Sequence, residues 1–292
     1  MIFDDVEIIA MNIIVCIKQV PNTKEVRIDP KTKNIVREGV PSILNPYDEN
    51  ALEAALSLRD QTGGTVTAIS MGPPQAAEIL RAALEMGADR GILLSDPAVA
   101  GADTLATGYA LAGMIKNLRA DLVLCGAEAI DGCTGQVGPI IAENLTWPQF
   151  TYVHSIKMEE DRLKISREVK DAFELYECEL PAVACVLKGI NSPRKKESTE
   201  KKPEIIKAKD LGLDPGRLGI KGSPTKVSDI SFSEKNCSSF VSVDGALPVR
   251  ERIRTLMNGG LPSKKVSYIR GTALELAEII FDEPILQGEI QK

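Results

Sequence analysis

The segment LVLCGAEAIDGCTGQVGPIIAENL, residues 122–145, indicates which fold the chain adopts. Its apolar start, Leu122–Cys125, is typical of a buried strand, and its end, Ile140–Leu145, is typical of a helix. Between them lies Ala129–Pro139, a turn interrupted by glycines. Open α/β sheets bind nucleotides at such strand-to-helix turns, because unpaired backbone N–H groups and the helix dipole favour an anion. The segment therefore predicts an α/β fold with a nucleotide site at this turn.

Strands and helices alternate around this segment. Asn12–Val20 is a nearly continuous apolar run, which suits a buried parallel strand. A helix is expected to start at Pro46 with Asn45 as its cap, and Gly63 is expected to end it. The remaining predictions are strands at Thr65–Ser70 and Gly91–Leu94, helices at Gln75–Met86 and Asp103–Asn117 (Leu105, Tyr109, Ala112 and Ile115 inward), and two short strands within Val26–Val36. This alternation predicts a doubly wound, mainly parallel sheet.

The pattern changes after Pro148, where four strand-like runs follow one another without a helix: Thr151–Met158, Leu163–Val169, Phe173–Glu179 and Ala182–Leu187. They predict an antiparallel edge, with the last strand returning to the buried sheet. We expect an extension over residues 1–10, an α/β nucleotide-binding domain over 11–229 with a partner-docking loop at 190–210, and a C-terminal arm over 230–292. That arm contains one predicted helix, Thr272–Phe281, and cannot bury much by itself, so it is expected to pack on a partner subunit.

Composition excludes several classes of function. A net charge of -6 disfavours nucleic-acid binding, and no apolar run reaches the roughly 18–20 residues of a spanning helix. Met1–Ala10 contains acids and no base, unlike a signal peptide. Cys16, Cys125 and Cys185 lie in apolar runs, which favours reduced thiols and a cytoplasmic location. The single histidine, His154, disfavours a metal site or a Ser-His-Asp hydrolase, and we expect it to be structural.

Three predicted strand ends meet at one edge of the sheet, namely Val15–Gln19, Ser70–Gly72 and Cys125–Gln136, and the helix start at Asn45 is expected beside them. Backbone N–H and C=O groups there suit an adenine ring, and the turn suits ribose and phosphate. Taken singly, Asn45-Pro46 and Gly72-Pro73 are better explained as ordinary capping and turn residues. No G-x-G-x-x-G follows the first strand and no G-x-x-x-x-G-K-[ST] occurs, which disfavours a Rossmann-type or P-loop site.

The ordered set of Lys18-Gln19-Val20, Asn45-Pro46, Gly72-Pro73, Met86–Arg90 and Ala129–Gln136 resembles the β subunits of electron-transfer flavoproteins. The resemblance covers residues 11–230 plus the last predicted helix, and implies an adenine nucleotide hydrolase-like α/β fold. It implies a heterodimer with an α subunit, whose FAD exchanges electrons with an acyl-CoA-type or other flavin dehydrogenase. No side chain of this chain then acts as a nucleophile or general acid, because flavin supplies the redox chemistry.

The resemblance places nucleotide contacts at eight positions, which are Cys16, Asn45, Asp48, Met71, Gly126, Asp131, Thr134 and Gln136. The same strand ends and turn add six further candidates, which are Lys18, Gly72, Ala129, Gly132, Gly135 and Val137. No catalytic or metal-binding residue is expected. If Lys18 or Arg90 lies near the flavin or its phosphates, its positive charge would stabilise reduced or anionic forms.

The nucleotide in this family is either AMP or a second FAD. The short turn Asp131–Pro139 and the segment Gly222–Thr225 resemble the bifurcating, two-FAD group, so we expect FAD, with AMP as the alternative. In that group NADH delivers two electrons, which are split between a high-potential acceptor and a low-potential one such as ferredoxin or flavodoxin. A nucleotide-binding regulatory module without redox activity is the alternative from another class.

Two segments depart from the family pattern. Asn191–Arg194 is followed by Lys195-Lys196-Glu197 and extra residues instead of an aromatic and a short docking loop. Arg194–Lys209 is therefore equally consistent with a solvated loop and with a docking loop anchored by Ile205-Ile206. The second departure is the insertion Ser233–Arg270, for which we expect only additional partner contact.

Overall fold

The computed structural model describes residues 10–22, 41–226 and 248–257. The chain divides into two compact units, Met1–Ile230 and Ser231–Lys292, and each is described by itself. No helix within the described ranges is long and apolar enough to cross a membrane. The strands expected within Val26–Val36 and the helix expected at Thr272–Phe281 lie outside the described residues.

The first unit is built on a nine-stranded sheet in the order β11-β5-β4-β1-β6-β10-β7-β8-β9. In chain order these strands are β1 (Met11–Cys16), β4 (Gly64–Met71), β5 (Arg90–Leu94), β6 (Leu122–Gly126), β7 (Gln149–Glu159), β8 (Arg162–Val169), β9 (Ala172–Cys178), β10 (Ala182–Val186) and β11 (Glu204–Ile206). All neighbours from β11 to β7 pair in parallel, while β7, β8 and β9 pair antiparallel. The predicted mainly parallel sheet with an antiparallel edge is confirmed.

In the described part of the first unit, four helices cover the two faces of the sheet: α1 (Pro46–Thr62), α2 (Ala77–Glu85), α3 (Thr104–Leu118) and α4 (Val137–Leu145). Leu52 of α1 and Leu80 of α2 belong to one buried cluster, whereas Met114 of α3 and Ile141 of α4 belong to another. The fold is thus doubly wound, with a core on each side of the sheet. One residue was placed wrongly from the sequence, since Leu105 is 45% exposed on the first turn of α3.

The first strand is shorter than its apolar run. Hydrophobicity predicts one strand over Asn12–Val20, but β1 ends at Cys16 and the chain turns away at Ile17 and Lys18. Residues after the turn form β2 (Gln19–Pro21), which pairs antiparallel with β3 (Ser42–Leu44) in a separate small sheet. The run stays apolar because β2 is buried too, so composition alone does not reveal the break. The break brings the Lys18 backbone to the carboxyl edge of the large sheet.

The two edges of the sheet differ in how they are held. Ion pairs across the antiparallel edge join Arg162 of β8 to Glu179, just after β9, and Lys164 of β8 to Glu177 of β9. His154 is exposed and stacks on Phe173 with ring centroids 5.2 Å apart. The opposite edge is β11, a strand that the polar composition of its loop did not predict.

The described part of the second unit contains one helix, α5, which spans Val249–Met257. It falls inside Ser233–Arg270, the insertion in which no element was predicted from the sequence. Its position shows that this insertion contributes regular structure to the second unit.

Candidate functional site

The candidate site lies where the chain order reverses across the sheet. From β1 the chain proceeds to β4 and β5 on one side, and then crosses to β6 on the other. The carboxyl ends of β1 and β6 are therefore the switch point at which open α/β sheets leave a crevice for ligands. The start of α1 and the turn that leads from β6 to α4 border this crevice.

Asp48, in the first turn of α1, joins the ends of the two central strands. One carboxylate oxygen accepts the Lys18 N–H at 2.7 Å, and the other accepts the Gly126 N–H at 3.1 Å. A Cβ on Gly126 would lie 2.3 Å from that second oxygen, so only glycine permits the contact. Burial raises the pKa of Asp48 to about 7, against opposing hydrogen bonds from Asn45, Lys18 and Gly126.

Asn45 fixes the site turn rather than capping α1. It occupies the position before the helix, as predicted, but its side chain makes no capping hydrogen bond. Its Nδ2 donates to the Glu128 carbonyl at 2.9 Å, and its Oδ1 accepts the Ile130 N–H at 3.2 Å. The capping role expected from the sequence is therefore wrong, because two backbone groups of a distant turn compete successfully for this amide. Asn45 is fully buried, so these bonds hold the turn firmly against α1.

Lys18 and Asp131 bridge the mouth of the crevice. The Lys18 Nζ donates to Asp131 at 2.7 Å. The Asp131 side chain is only 6% exposed, whereas that of Lys18 is 44% exposed. The turn beyond Ala129 is thus held at Ile130 by Asn45 and at Asp131 by Lys18.

The turn delivers backbone N–H groups to the start of α4. Gly135 has a φ of 61°, which favours glycine, and Gln136 precedes Val137, the first residue of the helix. No side chain caps α4. The helix also sits close to the sheet, since a Cβ on Gly138 would lie 2.2 Å from the Cys185 Sγ. An uncapped helix start with glycines around it is suited to an anion such as a phosphate.

Three thiols underlie this region. Cys16, Cys125 and Cys185 are paired in register on β1, β6 and β10, and all three are buried. Hydrogen bonding between neighbouring thiols, together with burial, holds the pKa values of Cys125 and Cys185 well above the ordinary value. The five cysteines in the described ranges are free, and those ranges hold no cluster of residues suited to a metal ion.

The remaining predicted site residues surround the same crevice. Met71 ends β4 and Gly72 follows it, donating its N–H to the Leu94 carbonyl. Gly132 and Thr134 are exposed on the turn, and a Cβ on Gly132 would meet nothing within 4 Å. The structure thus places the candidates at the ends of three adjacent strands, the start of α1 and the turn into α4.

Arg90 is the exception among the charged residues considered from the sequence. It begins β5, at the opposite end of that strand from the site, and pairs with Glu204 through two hydrogen bonds of 3.0 Å. It is therefore not available to the site.

Sequence reasoning missed four side chains near the turn, which are those of Tyr47, Asp103, Thr104 and Glu128. Tyr47 donates its hydroxyl to Glu128 at 3.2 Å, and Thr104 donates its hydroxyl to Gln136 at 2.8 Å. Asp103 caps α3 and accepts from Thr225. Asp103 and Thr104, at the start of α3, form a capping signal in the sequence, but only the fold brings Thr104 to Gln136.

Comparison with known proteins bears directly on this site. The family model "Electron transfer flavoprotein domain" matches residues 32–211. The chain belongs to the electron-transfer flavoprotein β-subunit family. The match includes α1, the turn and the start of α4, whereas β1 and Lys18 lie before it.

Similar proteins extend along most of the chain. The electron transfer flavoprotein subunit beta of Thermoanaerobacterium thermosaccharolyticum is 52% identical over 224 residues, covering 74% of this chain and 86% of that protein. The subunit of the same description from Clostridium acetobutylicum is 50% identical over 230 residues, covering 77% and 89%. Subunit CarD of the caffeyl-CoA reductase-Etf complex of Acetobacterium woodii is 49% identical over 225 residues, covering 74% and 86%. β subunits of this family pair with an α subunit, bind flavin or AMP, and take part in electron transfer.

Proposed function

We propose that this chain binds FAD at the β1–β6 crevice and passes electrons from NADH, through the flavin of an α subunit, to a dehydrogenase and a low-potential acceptor. The uncapped start of α4 beside Gly135 and Gly138 is the observation that supports this most directly. A dinucleotide carries negative phosphates, and this helix start offers backbone donors that no side chain occupies. We also propose that the protein is cytoplasmic and that residues 230–292 pack on a partner subunit.

The residues present fit an adenine nucleotide. Strand ends at Cys16, Met71 and Gly126 offer backbone groups to a planar ring, and the turn from Asp131 to Gln136 offers polar groups to ribose and phosphate. A bound flavin would supply the redox chemistry, and this chain would bind it, orient it and shape its electrostatic environment.

Lys18 is the side chain best placed to act on the electrostatics of the bound group. Its ammonium is 44% exposed at the mouth of the crevice, and Asp131 already fixes its direction. A cation beside a flavin favours the reduced, anionic form, and about 30 mV in a two-electron couple corresponds to about 1.4 kcal/mol. We predict that Lys18→Ala lowers the flavin potentials, and spectroelectrochemical titration measures them. Unchanged flavin content with unchanged potentials would remove Lys18 from the mechanism.

FAD is preferred over AMP because of the turn itself. The short connection 131–139 and the segment Gly222–Thr225 both resemble the two-FAD group. Asp103 bonds to Ser223 and Thr225, and the next residue, Thr104, bonds to Gln136, so these adjacent residues link the two segments. The similarity to subunit CarD of a caffeyl-CoA reductase-Etf complex supports an assembly with an acyl-CoA-type dehydrogenase. Bifurcation with ferredoxin or flavodoxin as the low-potential acceptor is the finer form of the proposal.

The proposed docking loop is held by the same helix that borders the crevice. Asn50 of α1 accepts the Gly189 N–H and exchanges hydrogen bonds with Asn191, while the Glu53 carboxylate accepts the N–H, Nε and Nη2 of Arg194. Burial would raise the pKa of Glu53, but Arg194 outweighs it and keeps that pKa below the ordinary value. We infer that residues 190–210 form a positioned docking loop for the dehydrogenase rather than a solvated loop.

The nucleotide content of the purified complex tests the proposal. The chain is produced together with its α subunit, the complex is denatured, and released FAD and AMP are quantified by chromatography. We expect two FAD per heterodimer and bleaching of the flavin spectrum on addition of NADH. One FAD with one AMP supports the non-bifurcating alternative, and a colourless complex supports the regulatory module without redox activity.

A further inference from the structure

A long segment after β11 returns the chain to the rim of the candidate site. We call residues 208–226 the strap. It is attached first near the end of β5, where the Ala208 N–H donates to Asp96 at 3.1 Å. It then crosses α3, where the Arg217 guanidinium lies 3.8 Å from the centre of the Tyr109 ring. The strap is the last described part of the first unit, and the second unit begins at Ser231.

The last third of the strap is fitted closely to the loop that precedes α3. Gly219 has a φ of 52°, and a Cβ there would lie 2.4 Å from the Ala98 carbonyl oxygen. Gly101 in the facing loop has a φ of 67°, and its Cβ would lie 2.6 Å from Ile220. Two glycines that each require both space and a left-handed backbone show that this contact has a defined geometry.

Asp103 connects the strap to α3 through its carboxylate and its backbone N–H. One carboxylate oxygen accepts the Ala106 N–H at 3.0 Å and caps the helix. The other accepts both the N–H of Thr225, at 3.1 Å, and its hydroxyl, at 2.7 Å. The Asp103 N–H donates to the Ser223 Oγ at 2.8 Å, and that serine is buried. Releasing the strap would thus leave several polar groups to find new partners.

The residue after Asp103 contacts the nucleotide turn. Thr104 donates its hydroxyl to the Gln136 side chain at 2.8 Å, and Gln136 immediately precedes α4. Two adjacent residues therefore bond to different segments: Asp103 bonds to the strap, and Thr104 bonds to the turn. This hydrogen bond links Gln136, on the nucleotide turn, to the capped start of α3.

We propose that Asp103 is a positioning residue that couples attachment of the strap to nucleotide binding. The inference rests on the proposed nucleotide site and adds that each event strengthens the other. Such coupling is reciprocal: if the seated strap favours nucleotide binding by some factor, nucleotide binding favours the seated strap by the same factor.

Asp103→Asn separates the two functions of the carboxylate. Asparagine is as good a helix cap as aspartate, so its Oδ1 retains the Ala106 N–H. Its amide then faces the Thr225 N–H, donor against donor, and the strap loses that hydrogen bond. The chain is purified with its α subunit, and trypsin cleavage after Lys226 is followed by mass spectrometry with and without AMP or FAD. We expect nucleotide to slow cleavage about tenfold in the natural chain, a typical coupling, and to have little effect in the variant.

Asp96→Asn is the matched control. Asp96 also caps a turn, through the Ala98 N–H at 2.9 Å, and also holds the strap, through the Ala208 N–H, but neither of these bonds involves Thr104 or Gln136. Its variant should keep the nucleotide protection at Lys226. Thr225→Val, which removes only the hydroxyl, should weaken the protection and serves where Asp103→Asn does not fold.

The outcomes separate the inference from the proposed function. Nucleotide binding that slows cleavage equally in the natural chain and in Asp103→Asn overturns the coupling alone. Equal loss of protection in Asp96→Asn also overturns it, because the effect would then belong to the strap as a whole. A natural chain that binds neither AMP nor FAD overturns the proposed nucleotide site and the coupling with it.

Discussion

Asp48 gives the site a pH dependence that one substitution can reveal. Its carboxylate joins the N–H groups of Lys18 and Gly126 while fully buried, and burial raises its pKa from 3.8 to about 7. In the unfolded chain the pKa returns to its ordinary value. Between these two values the folded state holds a proton that the unfolded state has lost. Stability contributed by this group is therefore complete below pH 3.8 and is lost as the pH rises through about 7.

The size of this pH dependence follows from the shift in the pKa of Asp48. Each pH unit over which the folded and unfolded states differ by one proton changes the free energy of unfolding by about 1.4 kcal/mol. From pH 5 to the folded pKa this amounts to about 3 kcal/mol, with little further change up to pH 8. Asp48→Asn cannot titrate, so this component of the pH dependence disappears. The variant also places an amide N–H against a backbone N–H and loses one hydrogen bond relative to the ionised carboxylate, which costs about 1–3 kcal/mol.

Urea unfolding of both proteins at pH 5 and pH 8 measures the effect. Other titrating groups cancel when the change in free energy between the two pH values is compared between the natural chain and the variant. We expect that the natural chain loses about 3 kcal/mol more than Asp48→Asn on going to pH 8. Equal losses in the two proteins would refute the reasoning, because they would mean that Asp48 has an ordinary pKa.

Two further predictions concern packing at α4 and the docking loop. Gly138→Ala places a methyl group 2.2 Å from the Cys185 Sγ, so we expect the free energy of unfolding to fall by about 1–3 kcal/mol, and Cys185→Ala in the same chain to recover most of it in urea titrations. The contact would be contradicted if Cys185→Ala did not restore the free energy of unfolding and a substitution far from Gly138 did. Glu53→Gln weakens the hold on Arg194, so the KM for the dehydrogenase should rise while flavin content and kcat stay unchanged, as steady-state assays would show. A change in flavin content without a change in KM would contradict the docking role.

The alternation of apolar runs with capped helices was sufficient to predict the parallel core. The carboxyl edge also followed from it, because parallel strands place their ends together. Hydrophobicity did not reveal the break after Cys16, since β1 and β2 are both buried on either side of it. β11 was missed for a different reason: it has only three residues within a lysine-rich polar stretch, so the Ile205-Ile206 pair was too short to predict a strand.

Side-chain partners were harder to predict than element positions. Asn45 stands where a cap belongs, and local chemistry alone favours capping, yet the fold offers it two backbone partners near Ile130. Arg90 was considered for the site because of its charge, but the strand direction places it at the other end, with Glu204. The contact between Thr104 and Gln136 depends on α3 and α4 packing side by side, which no local pattern encodes.

Native mass spectrometry of the intact complex, followed by release of the individual subunits in the gas phase, tests the central claim most directly. The account predicts that this chain leaves the complex with the added mass of one adenine nucleotide, and that the added mass corresponds to FAD. A bare chain, with all nucleotide retained by the α subunit, would contradict the assignment of the crevice between β1 and β6.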